Sequence, residues 1–358
     1  MPISIQEHSK NIASAVVGKF VEDIPVRGGF SGLFPSETAP TLYVDIEVER
    51  DNDLIAVDVM RFTEGNKNKF SRHTEKKFQP PFYKEDYDFS RDDIYLTTAA
   101  LGVTNAVSAN KAIAQNALKN VMKNKKKIQR AILKQQADVL QTGIVTVKNG
   151  DSIDYKRKAA SIVDLTAGNY WSNAGAKPLD DLANGMKFLR EVGNSNGGAV
   201  NVVMRTAAFN AMMQTTQMKE TADFRRVERV NIGFPEFSEA SGMALQGQVA
   251  AGDFVVNLWT YNEKYTNDAG TTTYYLGNSN VVMIPSDFVG KTVFGALPSM
   301  VETTIGGVST MIPATVERDF LLRGYVDEKT ISSTLELTSA PLVIPFSVDK
   351  IYTMKVIA

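Results

Sequence analysis

The sequence predicts an α+β protein, and three stretches predict it. The first is one long helix. From Asn105 to Gln141 there is no Gly and no Pro, and Ala, Gln, Lys and Leu dominate, all strong helix formers. At 1.5 Å per residue this stretch makes a rod of roughly 55 Å, well beyond an ordinary globular helix. The second is a hairpin directly behind it. Gly143 stands where a left-handed residue ends a helix, and the runs Ile144–Lys148 and Asp151–Tyr155 flank Asn149-Gly150, the preferred pair for a two-residue hairpin turn. The third is the change of pattern after Asp253, where apolar and alternating runs separated by turn residues read as strands.

The helix has readable faces. Val107, Ile113, Ala114, Ala117, Leu118, Val121, Ile128, Ile132 and Val139 recur mostly at three- and four-residue steps, giving one apolar stripe. The stripe weakens at Lys123-Asn124-Lys125-Lys126-Lys127, and the whole helix carries eight Lys or Arg against one acid, Asp138. Two readings of Lys123, Lys125, Lys126 and Lys127 stay open. They form a solvated face, or a basic face turned toward something anionic, either nucleic acid or an acidic segment of a neighbouring copy. A heptad coiled coil is disfavoured, because the stripe is interrupted and the flanking charges do not alternate.

Composition narrows the function classes. A chain of 358 residues holds two or three domains, or one large domain with insertions. Its net charge is −1, so any basic contact surface has to be local. There is no cysteine, which excludes disulfides, thiolate metal sites and thiol catalysis. His8 and His73 are the only histidines and fall in irregular-looking stretches, leaving little material for a zinc site, a Ser-His-Asp triad or a His general base. Asp180, Asp181 and Glu191 are spaced for helix capping and solvation rather than as the acid and base of a hydrolase. The expectation is a non-enzymatic protein with no catalytic residue, cofactor or metal. The first seven residues do not read as a signal peptide, and no apolar run approaches the ~18 residues of a membrane span. A cytoplasm-like compartment and no membrane partner are expected.

Taken in order, residues 1–40 hold a short helical pattern, Gln6 to Val21, and then the glycine cluster Val26 to Pro35. That cluster lacks the Gly-Lys-Ser/Thr ending of a phosphate loop and reads as a flexible arm with apolar anchors. Leu42–Val48 and Leu54–Val59 read as two strands around a turn at Asp51-Asn52-Asp53. Arg61 to Arg91 reads as a long protruding loop, basic at Lys67, Lys69, Arg72, Lys76, Lys77 and Lys84, then acidic at Glu85, Asp86 and Asp88. Interleaved aromatics allow nucleic-acid binding, but a basic half followed by an acidic half favours association between copies. Beyond the hairpin, Pro178 and Asp180-Asp181 suit a helix start, the run Ala199–Met204 a buried strand, and Thr206 the cap of a second helix to about Lys219. Met204, Met212, Met213 and Met218 read as core filling, and Tyr261, Tyr265, Tyr274 and Tyr275 as cross-strand packing.

Four features together resemble the tailed-phage major capsid proteins of the lambda type, the protein E family with the Hong Kong 97-type fold. Trp171-Ser172 precedes Pro178-Leu179-Asp180-Asp181 at a helix start. The strand Val200 to Met204 runs straight into a helix. Trp259-Thr260-Tyr261 leads to Leu276-Gly277-Asn278, and Thr338-Ser339-Ala340-Pro341-Leu342 precedes a short tail and a final strand. The match covers about Lys134 to Ala358. Earlier residues match by layout, and Gly28–Pro35 and Leu42–Val59 have no evident counterpart.

The resemblance implies an N-terminal arm at 1–40, and strands with an extended loop at 41–100, the loop itself at about 61–91 and lying on an adjacent subunit. It implies a peripheral domain at 101–160 built on the long helix as spine, with the hairpin and later strands as its sheet. An axial domain at 161–304 and a return to the peripheral sheet with the C-terminal strand at 305–358 complete it. It implies a coat protein forming hexamers and pentamers of an icosahedral head around double-stranded DNA, assembled in the host cytoplasm and located in the virion. Expected partners are further copies of the chain, the packaged DNA, and portal, scaffolding and decoration proteins. A nanocompartment shell of the encapsulin kind is the alternative. Lys67 and Lys69 stand in the type of loop from which some relatives cross-link to a neighbour's asparagine, but lambda-type relatives lack that chemistry and it is not expected here.

Overall fold

The computed structural model describes residues 25–48, 74–89, 106–147, 152–166, 168–196, 198–222, 230–252, 254–267, 269–305, 308–327 and 332–358. The expected helix Gln6–Val21, the strand Leu54–Val59, both histidines, and Lys67, Lys69 and Arg72 lie outside the described residues.

The long helix runs Ala106–Thr142. Gly143 behind it takes φ +73°, a conformation that strains any side chain but glycine's, and its N–H donates to Val139 O at 2.9 Å. Beside the helix a seven-stranded sheet takes strands in the order Ile162–Asp164, Tyr352–Lys355, Asn280–Pro285, Val200–Met204, Phe254–Tyr261, Met243–Ala251 and Val230–Phe237. Val200–Met204 pairs parallel with Phe254–Tyr261 and antiparallel with Asn280–Pro285. Covered on both faces, it carries an almost unbroken apolar run.

Two cores lie on the two faces of this sheet. On one, Val202, Met204, Leu258 and Met283 pack with Leu182, Met186 and Leu189 of the helix Pro178–Glu191 and with Met212 and Met218 of the next two helices. On the other, Val203, Val282 and Tyr261 share a core with Ile128, Ile132, Val139 and Leu140 of the long helix. The methionines fill core as expected, and three of the tyrosines pack together, Tyr261 and Tyr265 lying 6.3 and 4.9 Å from Tyr275, whereas Tyr274 is exposed with the Arg205 guanidinium 3.6 Å over its ring. Trp171 is buried and its indole N–H donates to Asp181 at 2.9 Å. Asn267 Oδ1 accepts the N–H of Ala269 and of Thr271.

Several expectations are corrected. The glycine-rich segment is not a loose arm over residues 26–38. Phe30 and Phe34 are buried in the core of the long helix, and Ser36–Thr38 pairs parallel with Gly290–Phe294. The glycines serve close docking: a Cβ on Gly29, at φ +48°, would meet the Tyr261 hydroxyl at 2.7 Å.

The strand Val44–Val48 has a described partner inside the stretch read as a loop. It pairs antiparallel with Thr74–Phe78, from Val44↔Phe78 to Val48↔Thr74. Anchorage at the base decides this, since Val44 is buried and Phe78 packs 6.4 Å from Tyr155. Nor is 61–91 irregular throughout. Tyr83–Phe89 is a strand on Ser332–Ser339, which also carries Leu321–Asp327. Asp86 stands opposite the buried Glu336, a like-charge pair that costs stability, and Lys84 offsets it with an ion pair to Glu336 at 2.5 Å.

The hairpin after the long helix forms, in a register other than the one expected. Ile144 pairs Asp154 and Thr146 pairs Ser152, so the register centres on residue 149, whereas a two-residue Asn149-Gly150 turn would pair Val145 with Asp154. Facing Val145 with Ile153, both buried, overrides the turn preference. Among the described residues this hairpin is a two-stranded sheet of its own, as is Leu297–Ile305 with Val308–Val316. The helix expected from Ala207 to Lys219 breaks at Thr215 into Thr206–Gln214 and Thr216–Ala222, where the Thr215 hydroxyl bonds Met212 O at 2.7 Å. Thr206 does not cap it. Asn262, from a remote loop, accepts the Thr206 N–H at 3.2 Å.

Candidate intersubunit surfaces

Among the described residues no three His, Asp or Glu side chains gather as metal ligands. The concavity by Leu179, Ala183, Gln217 and Ala250 is an open groove of about 260 Å³, in which Gln217 donates to Asp180 at 3.0 Å. The features that stand out are surfaces.

The long helix divides into two halves. Its C-terminal half is buried and fastened. Gln141 donates to Tyr275 O at 2.9 Å and accepts the Gly277 N–H at 2.8 Å and the Asn280 amide at 2.9 Å. Arg157, from behind the hairpin, reaches across the helix end. Its guanidinium donates to the carbonyls of Leu140 at 2.9 Å, Ser161 at 3.1 Å and Ile351 at 3.0 Å. Burial lowers the Arg157 pKa to about 10, with Asp349 pulling the other way. Further toward the N-terminus Leu118 of the stripe is 60% exposed, and Met122, one turn on, is 53% exposed. A helix that leaves apolar side chains exposed offers them to something else.

The basic run sits at the division. Lys123 is exposed. Lys125 lies 5.0 Å over the ring of Phe320, and Lys127 pairs with Glu85 at 2.9 Å. Lys126 is engaged as well. The structure therefore brings Lys127 together with the acidic strand Tyr83–Phe89 of its own chain. In the acidic half of the 61–91 stretch Glu85 and Asp88 are engaged internally, Asp88 accepting from Thr334 at 2.6 Å. Lys76 and Lys77 stand in the strand Thr74–Phe78, opposite Ile46 and Asp45.

One surface escapes the sequence reading. Among the described residues Val230–Phe237 is an edge of the seven-stranded sheet, and Ile232 pairs Gly247 while Glu236 pairs Leu245. Three residues, Gly233, Phe234 and Pro235, thus stand opposite the single residue Gln246. The bulge throws Phe234 outward, 97% exposed, with Phe237 53% exposed beside it. The signal available in the sequence is an aromatic next to a proline inside an otherwise strand-like run.

The model of the phage major capsid protein E family matches residues 21–356. The chain belongs to that family. This capsid protein is therefore a shell component of a virion, working as many copies of one chain, and its family is a structural one. Its structure is similar to a prophage capsid protein of E. coli CFT073, at 17% identity and a TM-score of 0.61 over 98% of both chains. It is also similar to the mature capsid of bacteriophage PhiM1, at 10% identity and 0.49 over 94% and 90% of the two chains. A phage-related protein of Bordetella bronchiseptica RB50 matches at 10% and 0.48 over 96% of both. The curated proteins give no match. The fold of this capsid protein is the Hong Kong 97-type α+β fold.

Proposed function

We propose that this major capsid protein of a tailed double-stranded DNA phage builds an icosahedral head of hexamers and pentamers. In this reading the long helix is the spine of the peripheral region and the seven-stranded sheet is the axial region. The stretch expected at about 61–91, with Lys67, Lys69, Arg72, Lys76 and Lys77, is the segment that lies on an adjacent subunit. The single observation that carries the reading is the long helix, which leaves Leu118 of its apolar stripe and the neighbouring Met122 exposed. Burying such surface against a second copy supplies the association energy, and closed symmetry repeats each contact so that weak ones sum. Lys123 and its neighbours face either the packaged DNA or an adjoining copy. Assembly takes place in the host cytoplasm, with portal, scaffolding and decoration proteins as further partners.

Electron microscopy of the purified chain tests this directly. The expected result is closed shells or capsomer rings; a chain that stays monomeric under every salt and crowding condition overturns it. Shells that form around a protein cargo, and never around DNA in the producing cell, would favour the nanocompartment reading instead.

A further inference from the structure

We propose that Phe234 is an anchor between neighbouring copies of this chain in the assembled shell, seated on a second copy by its ring rather than by strand addition. The inference deepens the shell reading above and rests on it. A phenyl ring 97% exposed on a sheet edge has no internal partner. The bulge of three residues against Gln246 aims it away from its own sheet. Pro235, next to it, has no N–H, so a further strand cannot complete its ladder here. What the edge offers is a side chain. The strand behind is held firmly: Arg27 lies 5.1 Å over the Phe237 ring and bonds Glu263 at 2.5 Å. The turn at 238–242 accepts the N–H of Gly28 and Gly29 through Ala240 O and Ser241 O.

Size argues for the occupant. One such ring buries about 150–250 Å², against the ~1,200 Å² that a self-standing interface needs. A free dimer is too large a claim for this patch. A second copy already held nearby, in a ring where the same contact recurs at every step, is the partner that so small an anchor suits.

The chain contains no cysteine, so F234C carries one thiol and reports on that position alone. In shells assembled from purified F234C protein, maleimide labelling is expected to be about tenfold slower than in the unassembled chain. Equal labelling in both overturns the anchor while leaving the shell intact. F234D is expected to unfold at the wild-type urea midpoint and to yield few or no shells; wild-type yields of F234D shells also overturn it. A wild-type chain that forms no shells removes the shell reading, and the anchor with it. With a single purified protein in the reaction, any protection comes from another copy.

Discussion

The guanidinium of Arg157 and the carbonyl of Leu140 meet at 2.9 Å across the end of the long helix. The same side chain bonds Ile351 O and Thr353 Oγ1 at 3.0 and 3.2 Å. One buried group thus joins the helix terminus to the strand Tyr352–Lys355 of the seven-stranded sheet. Hydrogen bonds from a charged donor are worth more than neutral ones, and removing this donor takes a bond from the carbonyls of Leu140, Ser161 and Ile351, of which Leu140 O keeps the Thr353 hydroxyl. Arg157→Met is expected to lower the stability of the unassembled chain by about 3 kcal/mol. Urea unfolding of the wild-type and variant chains measures it, and an unchanged midpoint would show that the clamp is dispensable.

Gln141 is the second fastening, and it uses both ends of its amide. Replacing it by Leu keeps the volume but leaves Tyr275 O, the Gly277 N–H and the Asn280 amide without this partner. A loss of about 2 kcal/mol is expected. Amide exchange should quicken at Gly277 in the variant while the middle of the strand Val200–Met204 stays protected. Uniform quickening would mean that the whole fold has loosened instead.

Stability should fall in acid through Asp287. Desolvation raises its pKa, but the bonds from Lys350, the Asn196 N–H and Ser195 outweigh it and hold the carboxyl below its usual value. A carboxylate whose folded pKa is depressed adds stability above its unfolded pKa of about 3.9. That stability is lost as the pH falls from there through the lowered native value. Asp287→Asn is expected to remove part of the acid dependence below about pH 4 and to change little in its slope at neutral pH. Identical acid limbs for the two proteins would contradict the assignment.

The lysines of the basic run should separate on replacement by Gln. Lys127 holds an exposed ion pair with Glu85, worth about 0–1 kcal/mol, so Lys127→Gln should barely alter folding. Lys123 is exposed. If it faces DNA, Lys123→Gln reduces the DNA content of particles while empty shells still form. Loss of the empty shells themselves would assign Lys123 to contacts between copies.

How much of this is legible in the sequence differs from element to element. The long helix is legible because its composition, its stripe and Gly143 all agree, and local signals of one sign are hard to override. The strand Tyr83–Phe89 is not. Its alternation is of aromatics with charges, so it resembles a solvated loop until Glu336 and Lys127 appear opposite. Pairing of Val44–Val48 with Thr74–Phe78 is equally hidden, because the partner is chosen by Val44 and Phe78 packing at the base, not by the nearest turn. The break at Thr215 depends on tertiary contacts, the Thr216 N–H donating to Ala174 O at 2.9 Å. Phe234 is silent for a different reason: sequence patterns report what a chain buries in itself, and this residue is not buried in its own chain.

The parallel pairing of Ser36–Thr38 with Gly290–Phe294 has a consequence for timing. A segment near the start of the chain finds its seat on one made some 250 residues later. Such distant closures come late in folding. Translation therefore releases this stretch long before it has anywhere to rest, and a subunit still under synthesis keeps an unfinished outline. Only a completed body acquires the contour that its neighbours recognise, so the order in which the chain closes on itself also schedules when it becomes fit to join a lattice.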